Sequence, residues 1–445
     1  MSSPSHPPDI PGLRSASQAT FMRQWLTIAL LVSAALPAPI LRLLDVTGGP
    51  HPDLPPLIQS LIFGLGIFAA ATLLTWASEV AETEVSATLA LVVLALIAVL
   101  PEYAVDLYFA WTAPTNPDSA HLAVANMTGA NRLLVGFAWP MVFLIFYWRL
   151  RRNVMPVERT NSLGILFLGV ATAYSLSIPL RGHLSLVDTA VMFSFFVAYL
   201  YISSRMPPEE NRVFVGPAAA LAALPKLSRR LAVGSIFLYA ALVIFAAAKP
   251  FAEGLVETGE DLGVDEFLLV QWVAPLASEA PEFILAGMLA ARGRHDAGMT
   301  LLISSKVNQW TLLIGSLPLA FSISGGTLSP LDFDTRQAEE VFLTAGQSLF
   351  AVAIFVSLSM AWWEAILLAS LFSTQLFFTD PTVRMGYGAA YLALATLVLA
   401  RDVPRLGTFL SAARETAQQP QWNPHGRRRK RESERPPVHH PRRDI

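Results

Sequence analysis

Five charged side chains stand in apolar surroundings where charge is expensive: Glu102, Asp106, Glu279, Glu282 and Lys306. A carboxylate at bilayer depth costs roughly 2.5–3.5 kcal/mol on insertion scales, so such residues are functional candidates by default. Glu102 and Asp106, four apart, share one face of a helix, and Glu279 and Glu282, three apart, share another. Two helices presenting these pairs to a common interface bring up to four carboxylates together. Oxygen ligands of this kind suit hard cations such as Ca2+ and Na+, and Ca2+ takes about six to eight of them. Asn126 and Asn131, on the segment after Glu102, add neutral carbonyl oxygens. Lys306 has two readings. Its ammonium either takes the place of a bound cation or titrates in proton coupling, or it forms a structural ion pair; Glu279 and Glu282 are its expected partners.

The elements that carry these residues follow from composition. The chain has 445 residues, 53% of them hydrophobic, 14% charged and none cysteine. Soluble domains carry about a quarter charged residues, so an ordinary cytosolic enzyme, a nucleic-acid binder and a disordered chain are excluded. Zero cysteines exclude disulfides, thiolate metal sites and cysteine nucleophiles. A bilayer core of roughly 30 Å needs about 20 apolar residues per helix. That ruler predicts about twelve spans, near 24–44, 56–77, 86–111, 120–148, 161–180, 185–204, 230–250, 265–291, 296–322, 338–357, 361–379 and 385–400. The predicted fold class is an all-α polytopic membrane protein.

Charge in the loops sets the orientation. Arg149, Arg151, Arg152, Arg205, Arg229, Arg230 and the basic run at 427–431 fall on one side, against Arg42, Arg181, Lys249, Arg336 and Arg384 on the other. By the positive-inside rule both termini are cytoplasmic. Glu339, Glu340 and Glu364, near span ends, are expected to be solvated; Arg132 is expected to snorkel or to pair with Asp106 or Asp118.

Two stretches repeat. Leu100-Pro101-Glu102, followed by Asn126 and Gly129-Ala130-Asn131, is echoed 180 residues later by Ala280-Pro281-Glu282, followed by Ser304-Ser305-Lys306. Five spans separate corresponding positions, and an odd shift reverses direction, which is the inverted-repeat signature of secondary transporters with a midplane ion site. A proline inside a span frees a backbone carbonyl one turn earlier, here near residues 97–98 and 277–278. The expected organisation is residues 1–55 with an extra helix, a first half 56–204, a cytoplasmic linker 205–229, a second half 230–380, an extra helix 381–400, and a basic, disordered tail 401–445.

These motifs resemble the sodium/calcium exchanger superfamily of cation antiporters. Its usual wording is Gly-Thr-Ser-x-Pro-Glu on one helix and Gly-Asn-x-x-Gly-Ser-Asn on the next. Pro101-Glu102 and Pro281-Glu282 match the first motif. Asn126 and Gly129-Ala130-Asn131 match the second with one substitution. Ile97-Ala98-Val99 and Ala277-Ser278-Glu279 depart from Gly-Thr-Ser, and Lys306 stands where an Asn is usual. The resemblance implies secondary cation antiport, Ca2+ or Na+ against Na+ or H+, by alternating access. Glu102 and Glu282 would be central, with Asp106, Glu279, Asn126 and Asn131 around them. No cofactor is implied beyond the transported cations. The expected partners are the lipid bilayer and inorganic cations, in a cell (inner) membrane. A degenerate relative that senses or scaffolds is the alternative. An intramembrane enzyme is disfavoured because His-Glu-x-x-His, Gly-x-Gly-Asp and Gly-x-Ser-x-Gly are all missing.

Overall fold

The computed structural model describes residues 11–50, 53–81, 100–205, 214 and 216–418. Helices α1 (Pro11–Ala35) and α2 (Pro37–Thr47) lead into α3 (Pro56–Ala81). After α4 (Leu100–Thr112) comes α5 (Asp118–Leu133), which passes through a π-helical turn at Leu134–Ala138 into α6 (Trp139–Leu150). Strand β1 (Val154–Pro156), α7 (Ser162–Ser175), α8 (Ser177–Arg181), β2 (His183–Leu184) and α9 (Leu186–Ser203) follow. The short α10 (Pro217–Ala222) precedes α11 (Lys226–Leu262) and α12 (Glu266–Ala291). Helix α13 (His295–Asn308) passes through a second π-helical turn, Gln309–Leu313, into α14 (Ile314–Gly325). Strand β3 (Leu331–Asp332), α15 (Thr335–Phe355), β4 (Ser359–Ala361), α16 (Trp362–Gln375) and α17 (Pro381–Ala417) complete the chain.

Among the described residues nine helices are long and apolar enough to cross a membrane. The protein is an all-α polytopic membrane protein. The three other expected spans fall short for separate reasons. The third, 86–111, includes residues 86–99, which lie outside the described residues together with the carbonyls expected to be free near 97 and 98. The ninth carries the polar run from Ser304 to Gln309, which lowers its hydropathy. The eleventh, α16, has 14 helical residues, about 21 Å at 1.5 Å per residue.

Both strand pairs join loops that the sequence assigns to a common side. β1 pairs antiparallel with β4, Val154 opposite Ala361, and β2 with β3, His183 opposite Asp332. Aspartates start α12, which carries Glu279 and Glu282, and α15, which carries Glu339 and Glu340. Asp265 accepts from the Phe267 N–H at the start of α12, and Asp334 accepts from the Gln337 N–H at the start of α15. Each satisfies an amide that helix geometry leaves unpaired.

Helix α12 runs unbroken through Pro275 and Pro281. Pro281 has no N–H to give the Ala277 carbonyl, the loss expected from the sequence. Close helix approach depends on glycine. A Cβ at Gly129 of α5 would lie 1.8 Å from the Gln271 carbonyl oxygen of α12, so any side chain there would push apart the two helices that carry Asn126 and Glu279. Helix α17 continues to Ala417, past the boundary at 401 expected for a disordered tail. Three of its charges beyond 400 have partners: Arg401 reaches Glu364 at 2.9 Å, and buried Asp402 pairs with Arg401 and Arg405.

Candidate ion-binding site

Glu102 and Asp106 lie one turn apart on α4, and both are buried. Glu279 is buried on α12, and Glu282, one turn on, is partly exposed. The four carboxylates lie in one another's field: Glu102 feels Glu282 and Asp106, and Glu279 feels Glu102, Glu282 and Asp106. The expected convergence of the two Pro-Glu helices is therefore present.

Neutral donors partly satisfy these groups. The Gln309 amide donates to Glu279 Oε1, the Ser305 side chain reaches Glu282, and the Asn126 side chain and Met127 backbone face Asp106. Even so, Glu102 Oε2, Glu279 Oε2, Glu282 Oε2, both Asp106 carboxylate oxygens and Asn126 Oδ1 are buried without a hydrogen-bond partner of good geometry. Buried polar atoms of this kind are ordinarily paired, so six orphaned oxygens in one neighbourhood suit a hard cation. Among the described residues no three Asp, Glu or His side chains close around a single point as a metal shell. The cluster is open.

Asn131 and Lys306 stand apart from it. Lys306 is fully buried. Its Nζ donates to Asn131 Oδ1 at 2.8 Å and to the Asn131 backbone carbonyl at 3.2 Å, and lies 4.4 Å from the centre of the Trp310 ring. The other end of the Asn131 amide donates to the Met127 carbonyl at 2.8 Å, which fixes the orientation of its oxygen. The expected partners of Lys306, Glu279 and Glu282, form no ion pair with it; Glu279 acts on it only through its field. The physical reason is donor count. An ammonium has three N–H groups; two go to the Asn131 oxygens, and the Trp310 face lies against the same charge.

Two further expectations are corrected. Arg132 pairs neither with Asp106 nor with Asp118, and it does not snorkel. Fully buried, its guanidinium contacts Glu340 Oε2 at 2.5 Å and lies 5.0 Å from the Trp272 ring centre. Glu339 and Glu340 are not solvated either: Arg384 Nε reaches Glu339 Oε1 at 2.6 Å, and Arg384 also pairs with Glu340. Glu364 is likewise buried, accepting from Arg401 and from the Ala361 N–H. Burial of one charge requires burial of its partner, and both partners lie far along the chain.

Sequence reading missed Gln309, Tyr103 and Asn308. The Tyr103 hydroxyl donates to Asn308 Oδ1 at 3.4 Å, linking α4 to α13. An amide-rich run inside an apolar helix was the available signal. The π-helical turns were not foreseen. Each begins three residues after a member of the matched triplets, at Leu134 after Asn131 and at Gln309 after Lys306. Such turns are frequent at functional sites.

The model of the family described as "Sodium/calcium exchanger protein" matches residues 56–205 and 233–379, more than half of the chain. A search of curated proteins finds no match. Among solved structures, the H+/Ca2+ exchanger CAX is 42% identical over 89% of this chain and 99% of its own, with a TM-score of 0.83. Native YfkE is 16% identical over 78% of this chain and 98% of its own, with a TM-score of 0.58, a likeness of fold.

Proposed function

Because the chain belongs to the sodium/calcium exchanger protein family, we propose that it is a cation antiporter exchanging Ca2+ for protons by alternating access. The observation that carries this reading is the set of buried, unpaired oxygens supplied by α4, α5 and α12. Glu102 and Glu282 are the central ligands, Asp106 and Glu279 complete the carboxylates, and Asn126 adds a neutral oxygen. Asn131 serves Lys306 instead of the ion in this conformation. Since the cluster is open, ion binding draws α4 and α12 together.

Exchange follows from charge neutrality. Buried carboxylates at this density need a cation or protons to offset their charge, because an isolated ion in a low-dielectric interior is strongly disfavoured. Ca2+ and protons therefore exclude one another at the site. Lys306, held by two Asn131 oxygens and lying against the Trp310 ring, takes the place of a second bound cation. Likeness to the H+/Ca2+ exchanger CAX supports the proton as coupling ion.

The same reading assigns two inverted halves, 56–204 and 230–380, within about twelve crossings flanked by one extra helix at each end. The two-block family match and the paired π-helical turns support it. Both termini are placed on the cytoplasmic side of a cell membrane, and the strand pairings between loops of common side are consistent with that. Glu282, the partly exposed member, then lies toward the cytoplasmic end of α12 and is the first ligand met from that side.

Proteoliposomes loaded with Ca2+ test the proposal. An imposed pH gradient should drive Ca2+ movement in the wild type and none in Glu282→Gln. Equal flux in both would remove Glu282 from the mechanism. Ca2+ binding without flux in the wild type would instead favour a sensing relative.

A further inference from the structure

The chain buries a second group of charges that the transport reading does not use: Arg132 on α5, Glu339 and Glu340 on α15, and Arg384 on α17. They form a continuous chain of ion pairs, Arg132 to Glu340, Glu340 to Arg384, and Arg384 to Glu339. Two cations meet two carboxylates, so the group is neutral within itself. It adjoins the ion site at one residue. Arg132 directly follows Asn131, whose amide and backbone oxygens both hold the Lys306 ammonium.

The backbone between them is held from α15 as well. Just before the first π-helical turn, two successive carbonyls accept from side chains of other helices. Asn131 O accepts from Lys306, and Arg132 O accepts from Gln347 Nε2 at 3.4 Å. The Arg132 guanidinium also lies over Trp272 of α12, the helix that carries Glu279 and Glu282. One arginine is thus in register with α5, α12 and α15 together, and through Glu340 it reaches α17, a helix outside both matched blocks.

We infer that Arg132 is a positioning residue for the ion site: the Arg132–Glu340–Arg384–Glu339 chain fixes Asn131, and Asn131 keeps the Lys306 ammonium away from the carboxylates. The inference rests on the transport reading above. Glu279 is the carboxylate whose field already acts on Lys306. Release of the ammonium from Asn131 lets it turn toward Glu279 and compete there with incoming Ca2+. The extra helix α17 then acts on ion affinity at a distance, through ion pairs, without touching the ion.

The test is the Ca2+ dependence of exchange in proteoliposomes, expressed per folded transporter. Glu340→Gln removes the carboxylate between the two arginines. The expected result is a KM for Ca2+ raised roughly tenfold, the size of one lost charged hydrogen bond, with the maximal rate little changed. Combining it with Lys306→Gln removes the competitor, so adding Glu340→Gln to Lys306→Gln should leave KM unmoved. Arg384→Lys keeps the charge but loses the planar fork. It should raise KM by less, and it supplies the answer if Glu340→Gln does not fold. An unchanged KM in folded Glu340→Gln and Arg384→Lys would make the chain merely structural and overturn the inference. So would a KM shift that persists in the Lys306→Gln background. Glu282→Gln is measured alongside. If it abolishes flux while KM in the other variants stays put, the inference alone fails; if it transports normally, the transport reading fails and this one falls with it.

Discussion

Two clusters of buried charge lie at the same helix junction, and they are built in opposite ways. Around Glu102, Asp106, Glu279 and Glu282 the charges share one sign and lie in one another's field. Around Arg132, Glu339, Glu340 and Arg384 cations and carboxylates alternate, and each has an ion-pair partner of opposite sign, although several of their polar atoms also lack a well-aligned hydrogen bond. Both pay the desolvation of charge in a low-dielectric interior, but only the second is compensated within the protein. The first leaves its compensation to something that comes and goes. Internal pairing marks support, and uncompensated charge marks the place of the cargo.

The comparison can be broken from the paired side first, where the effect should be largest. Arg132→Met leaves Glu340 buried with Arg384 as its remaining partner and should destabilise the protein by up to about 3–5 kcal/mol, the penalty for breaking a buried ion pair. Arg132→Met with Glu340→Met should recover part of that loss in denaturation midpoints. Recovery of nothing would show that the pair is not what holds these helices.

The unpaired side predicts the reverse. Glu102→Gln should cost about 100-fold or more in Ca2+ affinity, since a central charged ligand is lost, roughly 3 kcal/mol. In calcium-free buffer at neutral pH, however, the same substitution should raise the melting temperature or leave it unchanged, because Gln replaces a carboxyl that must otherwise take up a proton to be buried. A drop in calcium-free stability comparable to that of Arg132→Met would erase the distinction between the clusters.

Much of this contrast was legible in the sequence, and the part that was not has a definable cause. Pro101-Glu102 and Pro281-Glu282 stood out because proline and glutamate are both costly within a span, and the cost is local to the residue. Asn126 was found by its spacing. The partner of Lys306 was misread because opposite charge was taken as the only adequate compensation, whereas Asn131 supplies two oxygens and Trp310 an aromatic face. Glu339 and Glu340 were read as solvated because they stand near span ends, and Arg384 as an outer loop charge. Their burial depends on Arg132, some two hundred residues earlier in the chain, and pattern alone carries no such pairing. Helix α17 beyond residue 400 was lost for the same reason, three of its charges being matched by Glu364 and by one another.

A smaller effect sharpens the geometry that brings the clusters together. Gly129→Ala places a Cβ against the Gln271 carbonyl and should cost about 1–3 kcal/mol by overpacking. Because α5 and α12 separate, Ca2+ affinity should fall along with stability. A substitution that lowers stability alone would show that the close approach serves packing and not the site.

The central claim is that Ca2+ and protons compensate the same carboxylates in turn. Calorimetric titration of Ca2+ in buffers of different ionisation enthalpy measures it directly, since the dependence on buffer counts the protons released on binding. The account predicts proton release from the wild type, binding that weakens as pH falls, and loss of both binding and release in Glu102→Gln with Glu282→Gln. Ca2+ binding at full strength with no proton release would contradict it.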